Sequence, residues 1–285
     1  MGSLIQRGPL CVVAAILFAA PAVPQQRKVE NGRRTLFSQS AVTTLEHKYG
    51  KSDASYLLVD ANSGTILASH WDGPDKAIPM GSLVKPFTAL AYAEGHDFRY
   101  PNYVCHGSAS GCWQRKPHGE LDLTSAISVS CNAYFARLAE SVSNERARSI
   151  ASSFGLELPG ENAGTEDLVG LGQLWQIAPA RMALAYLELF RRKDAPGVAP
   201  IVEGMRQSGR QGTGAAVGRQ LKHSEALVKT GTAPCTHARW APEDGFVLAL
   251  VPAERPEILL LVRMHSVTGA KAAETAGSML HDMQE

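Results

Sequence analysis

The spacing of apolar residues changes several times along the chain, and each change marks an element. Leu36, Val42, Leu45 and Tyr49 recur at near-helical intervals and stop at Gly50. Tyr56-Leu57-Leu58-Val59-Asp60 and Thr65-Ile66-Leu67-Ala68 then flank Ala61-Asn62-Ser63-Gly64, which predicts two strands joined by a glycine-containing turn. After Met80-Gly81, the run from Pro86 to Tyr92 reads as helix and ends near Gly95. The middle, from about Leu121 to Arg192, reads as mostly helical. Its best segments run from Ala133 to Ser143, Glu145 to Phe154 and Pro179 to Arg192. Strand patterns return from Ala226 to Ala233, Gly245 to Val251 and Glu257 to Met264, and an amphipathic helix from Ala270 to Met283 follows. Strands from both ends of the chain around a helical insertion predict an α+β fold.

The N-terminus carries a different signal. Arg7 precedes an apolar run from Leu10 to Ala20, and Ala20-Pro21-Ala22 offers small residues for cleavage. This predicts a secretory signal peptide over residues 1–22, a loose polar segment over 23–35, and a folded domain over 36–285. The run is shorter than the roughly 20 apolar residues of a membrane-spanning helix. The expected location is therefore periplasmic or otherwise extracytoplasmic, with no membrane span after cleavage. A net charge of +1 over 285 residues gives no electrostatic basis for a nucleic-acid partner. Export bears on the cysteines. Cys11 would leave with the signal, and Cys105, Cys112, Cys131 and Cys235 could form disulfides in three pairings.

Three short segments carry the chemistry: Ser82-Leu83-Val84-Lys85, Ser130-Cys131-Asn132 and Lys229-Thr230-Gly231-Thr232. Each alone is weak. Taken singly, they read as a capping serine, a helix-leading serine and a surface turn. In order they spell S-x-x-K, S-x-N and K-T-G-T, a named set in serine acyl transfer. Ser82 and Lys85, three apart on a helix, share a face, so an amine can take the hydroxyl proton. The unpaired amides of a helix start at Ser82 suit an oxyanion. Apolar neighbours such as Phe87 lower a lysine pKa by desolvation. Ser130 can relay a proton to a leaving group, and Asn132 can hydrogen-bond a substrate amide. Gly231 within a strand marks a close approach to the backbone, and an edge strand there could pair with an extended peptide. Lys229, Thr230 and Thr232 supply a cation and hydroxyls for a carboxylate.

These segments with their neighbours, Ser82 to Phe87, Ser130 to Phe135 and Lys229 to Ala233, resemble the transpeptidase domain of penicillin-binding proteins, which group with the serine β-lactamases. The resemblance extends to Val59 to Ala68, Gly170-Leu171-Gly172-Gln173 with Ala178 to Ala183, Gly212-Thr213-Gly214 and Gly245-Phe246, from roughly Ser52 onward. It implies a five-stranded antiparallel sheet flanked by helices, beside an all-helical lobe at about 87–192, with the active site between them. It implies Ser82 as nucleophile, Lys85 as general base, Ser130 as proton relay and Asn132 as amide contact. Lys229, Thr230, Gly231 and Thr232 would line the carboxylate end, and the amides of Ser82 and Thr232 would form the oxyanion hole. The implied partners are peptidoglycan stem peptides ending in D-Ala-D-Ala, and β-lactams as their mimics. No organic cofactor is expected. No pedestal, glycosyltransferase or anchor segment is recognisable, which makes a secreted class D-like β-lactamase the alternative. Asn132 stands where such enzymes carry an apolar residue. Glu161 or Glu166, in the loop after Pro159, could serve as a deacylating base, but nothing around them matches a β-lactamase pattern. A non-catalytic β-lactam or cell-wall binding module is a third reading, weakened by the intact triple.

Cys105, Cys112, His118 and Cys131 form a chemically complete tetrahedral zinc set. Around Trp113, His118-Gly119 and Cys131 the chain is similar to elongation-type penicillin-binding proteins, with two cysteines in place of acids. The expectation is a structural Zn²⁺ that ties the loop before Ser130 to the following helix. The alternative is a Cys105–Cys112 disulfide with Cys131 free. Cys235 is unpaired on either reading.

Overall fold

The computed structural model describes Gly2 and residues 38–285. The expected signal peptide and the segment over 23–35 lie outside them, apart from Gly2. Helix α1 (38–49) leads into the hairpin of β1 (Ser55–Asp60) and β2 (Ile66–His70). A short β3 (Ile78–Pro79) and a 3-10 turn at Gly81–Val84 run into α2 (Lys85–Glu94). The helical lobe follows with β4 (Tyr103–Cys105), β5 (Gly119–Leu121), α3 (Leu123–Ser128), α4 (Asn132–Ala139), α5 (Asn144–Ser153), α6 (Thr165–Val169), β6 (Gln176–Ile177) and α7 (Pro179–Arg191). Helices α8 (Ala199–Gln211) and α9 (Ala215–Gln220) return the chain to β7 (Leu227–Pro234), β8 (Glu243–Val251) and β9 (Ile258–His265), and α10 (Gly269–Asp282) follows.

The five long strands form one antiparallel sheet in the order β2-β1-β9-β8-β7. The alternation of strand side chains explains its two covers. Leu57, Val59, Leu248, Leu250, Leu259 and Leu261 face one core, shared with Phe87, Phe135 and Tyr186 of the helical lobe. Tyr56, Leu58, Val247, Ala249, Leu260 and Val262 face the other, shared with Ala41 and Leu45 of α1 and Ala276 and Met279 of α10. A central strand covered on both faces has no polar face to show, which is why β8 and β9 read as almost continuous apolar runs. Each such Leu or Val contributes about 1.5–3 kcal/mol by burial.

The α+β expectation with a five-stranded sheet and a helical lobe holds, and three details differ. Helix α4 ends at Ala139 because Ser143, expected as its end, instead caps α5: its Oγ accepts from Arg146 N at 3.2 Å. The lobe also contains two two-stranded ladders, β3–β6 and β4–β5, too short to carry a period. Helix α8 went unforeseen, since Gly204 and Gly209 lower its helix propensity although Ile201, Val202 and Met205 form a buried face. No helix among the described residues is long and apolar enough to cross a membrane.

Candidate active site

Ser82 sits in the 3-10 turn that opens α2, against the edge strand β7. Two glycines permit this contact. Gly81 has φ 58°, and a Cβ on it would collide with the Thr232 backbone carbonyl. A Cβ on Gly231 would lie 2.7 Å from Met80 O. On the lobe side, the Tyr186 hydroxyl donates to Leu83 O at 2.8 Å, and Phe87 packs edge-on against the same ring. The serine turn is thus held between strand and helix.

Lys85 is fully buried beneath the turn. Its Nζ donates to Asn132 Oδ1 at 2.6 Å, to Ser130 O at 2.9 Å and to Ser130 Oγ at 3.5 Å. Burial lowers its pKa to about 7, against a smaller upward pull from the thiols of Cys131 and Cys112. A large share of this amine is therefore neutral near pH 7, as a base for a serine hydroxyl requires.

Ser130 lies in the tight connection between α3 and α4 with φ 51°. For a residue with a side chain this left-handed conformation costs roughly 1–2 kcal/mol, and it turns Ser130 Oγ toward β7. There Lys229 Nζ donates to it at 2.8 Å and to Thr230 O at 2.8 Å. Lys229 is also fully buried, and burial followed by the charge of Lys85 lowers its pKa well below the usual lysine range. One hydroxyl therefore faces two lysine amines, whose bonds occupy its lone pairs and leave its own proton to be donated. Asn132 Oδ1 is held by Lys85, which leaves its Nδ2 as a donor.

The third segment is tied down on its other side. Thr230 Oγ1 donates to Thr213 Oγ1 at 2.7 Å, and Thr213 N donates to Ser128 O at 3.1 Å. Thr232 Oγ1 accepts from Gly269 N at 2.9 Å. The result is a cleft of about 550 Å³ whose walls include Ser82, Ser130, Asn132, Thr230, Gly231 and Thr232. The expected residues thus converge, with Lys85 and Lys229 beneath the surface. Lys229 is not on the wall, so it acts on the cleft through its bonds to Ser130 and Thr230. Glu161 and Glu166 are exposed and do not line the cleft.

Sequence reasoning missed two contributors. Tyr186 has no local signal, being one aromatic among the apolar residues of α7. Leu171, with Trp113, gives the cleft exposed apolar walls. Leu171 lay inside a segment already noted, but its outward direction depends on the turn after α6. That turn is fixed by buried Asp167, whose carboxylate accepts from Gly164 N at 2.9 Å and Leu174 N at 2.8 Å.

Behind Ser130, Cys105, Cys112, His118 and Cys131 place their ligand atoms within 4.8 Å of one another. All three thiols are free. Cys105 Sγ and Cys112 Sγ each lie 3.6 Å from His118 Nδ1, and Cys112 Sγ lies 3.7 Å from Cys131 Sγ. A tetrahedral zinc site with Zn–S of about 2.3 Å and Zn–N of about 2.0 Å has S···N edges near 3.5 Å and S···S edges near 3.8 Å. The residues fit that ion.

Known proteins show the same architecture. A model of the penicillin binding protein transpeptidase domain matches residues 54–283. No curated protein matches the sequence. Among solved structures, the chain superposes on Pseudomonas aeruginosa PBP2 in complex with WCK 5153 with a TM-score of 0.68 and 17% identity, covering 89% of this chain and 73% of that one. Against PBP2 of Helicobacter pylori, solved in complex with MreC, the TM-score is 0.71 at 15% identity, over 87% of this chain and 62% of that one. The transpeptidase domain of Burkholderia pseudomallei penicillin-binding protein 3 gives 0.66 at 14% identity, over 88% and 93%.

Proposed function

The chain belongs to the family of penicillin-binding protein transpeptidase domains, and from that premise we propose that it is a serine acyl-transferase acting on peptidoglycan stem peptides that end in D-Ala-D-Ala, outside the cytoplasm. The observation that carries the reading is the meeting of Lys85 and Lys229 at Ser130 Oγ, on the wall of the cleft that holds Ser82.

The proposed reaction follows from these groups. Neutral Lys85 takes the Ser82 proton as Oγ attacks the carbonyl carbon of the scissile D-Ala-D-Ala bond. The amides of Ser82 and Thr232 hold the oxyanion. Ser130 gives its proton to the departing amine and recovers one from the neighbouring lysine amines. D-alanine leaves, and an ester to Ser82 remains. An acceptor amine then attacks the ester to form a cross-link, or water attacks to trim the stem. Asn132 Nδ2 would donate to a substrate amide carbonyl, and β7, open at the sheet edge, would pair with the peptide backbone. The hydrolase alternative lacks support, because Glu161 and Glu166 are away from the cleft and Lys85 Nζ is bonded to a polar Asn132. A fluorescent penicillin should label the wild-type chain stably and leave Ser82→Ala unlabelled. An adduct lost within seconds would mark a β-lactamase instead.

Cys105, Cys112, His118 and Cys131 would hold a structural Zn²⁺ that leaves no open position for chemistry. Bound there, it would fix the backbone on both sides of Ser130. Chelation of the loaded protein should lower its melting temperature and slow penicillin labelling together, with both restored by zinc. A melting curve unmoved by metal removal counts against the site.

A further inference from the structure

A second cluster lies at the other end of the K-T-G-T strand. Cys235 follows β7, His237 lies two residues on, Asp244 is the second residue of β8 and His265 is the last of β9. Their ligand atoms all lie within 4.8 Å of one another. Cys235 Sγ is 3.9 Å from His265 Nδ1 and 3.9 Å from His237 Nε2, and His237 Nε2 is 3.7 Å from Asp244 Oδ2. We propose that Cys235, His237, Asp244 and His265 form a second, structural site for a zinc-class divalent ion, which clamps the connection after β7 to the ends of β8 and β9.

Three observations point to a metal rather than to a chance polar cluster. First, the donor set is complete: one thiolate, two imidazoles and one carboxylate suit a four-coordinate borderline ion. The Cys235–imidazole and His237–Asp244 separations exceed tetrahedral edges of about 3.3–3.5 Å by only a few tenths of an ångström, and the His265–Asp244 pair, now hydrogen-bonded at 2.6 Å, would part on loading. Second, the donors are prepared. Ala238 N donates to Cys235 Sγ at 3.4 Å, which orients the sulfur. Arg263, which can only donate, bonds His237 Nε2 at 2.8 Å, so this nitrogen keeps its lone pair. Third, the metal-free arrangement satisfies the groups imperfectly. Asp244 is buried with only a His265 bond of 2.6 Å and the longer His237 contact. A side pocket of about 440 Å³ opens onto His237, Arg263 and His265 and offers an entry path.

Loading balances simply. The ion displaces the Cys235 thiol proton, His265 frees Nδ1 by carrying its ring proton on Nε2 instead, and the ion takes the His237 lone pair from Arg263. Because Arg263 competes, this site binds more weakly than the Cys105 cluster. Its place gives it a use. Ala233, Pro234, Pro242 and Glu243 line the active-site cleft, so a clamp at Cys235 stiffens that wall.

The test is zinc stoichiometry on the full chain, loaded with zinc and desalted. Two equivalents are expected for wild type, and one each for Cys235→Ser and Cys112→Ser. Cobalt added to Cys112→Ser should give visible bands of a tetrahedral site, absent from Cys112→Ser/His265→Ala. If Cys112→Ser does not fold, the wild-type comparison decides: zinc should protect Cys235 from iodoacetamide, and Cys235→Ser should retain one equivalent fewer. Equal zinc in wild type and Cys235→Ser, with Cys235 alkylated at the same rate with or without zinc, overturns the proposal. Penicillin labelling plays no part in this readout, so the second site and the enzymatic reading fail independently.

Discussion

Ser130 is the residue on which the site turns. Its left-handed backbone, the two lysine amines at its Oγ and the Cys131 thiol beside it are all needed to explain why S-x-N takes this form. In the proposed reaction Lys85 sets the pH behaviour. Its folded-state pKa is lowered to about 7 by burial, so it is protonated and inactive as a base below that value. Penicillin acylation should therefore rise by about tenfold per pH unit up to a midpoint near 7 and level off above it. Stopped-flow or quenched labelling across pH 5 to 9 checks this. A profile flat through neutrality would require another base. The meeting of Ser82, Lys85 and Ser130 at one site was legible in the sequence because hydroxyl and amine spacing is itself the signal. The burial of Lys229 was not, since the motif shows a cation and does not show how deep it lies.

At the scale of elements, the serine turn and β7 form one unit, joined backbone to backbone at Gly81 and Gly231. Gly81→Ala places a side chain at φ 58° and against the Thr232 carbonyl. The conformation alone should cost roughly 1–2 kcal/mol. Acylation should fall further than stability does, because the turn must retreat from the strand that supplies Thr232. Paired melting and labelling measurements check this, and unchanged labelling would separate turn from strand. The long strands and terminal helix were readable because β8 and β9 are almost continuous apolar runs and a 3.6 period persists along α10. Helix α8 and the two short ladders were hidden by glycines and by length. The second cysteine cluster was hidden by topology. Cys235-Thr236-His237 is visible as a pair, but Asp244 and His265 join it only through the β8–β9 register, in which those two residues are partners.

Over the described residues, the sheet and the helical lobe meet along the cleft, and each supplies part of the proposed site: Lys229 to Thr232 from the sheet, Ser130 and Asn132 from the lobe, and Ser82 between them. Of the two candidate metal clusters, one includes Cys131, next to Ser130, and the other begins at Cys235, just beyond the end of β7. The central claim is acyl transfer by Ser82. The most direct measurement is incubation of the zinc-loaded chain with a peptide ending in D-Ala-D-Ala and an amine acceptor, following free D-alanine and the mass of the protein. The expected result is release of D-alanine with a peptidyl ester at Ser82, and no release from a folded Ser82→Ala variant. A folded wild-type chain that releases no D-alanine and takes up neither peptide nor penicillin would contradict the account.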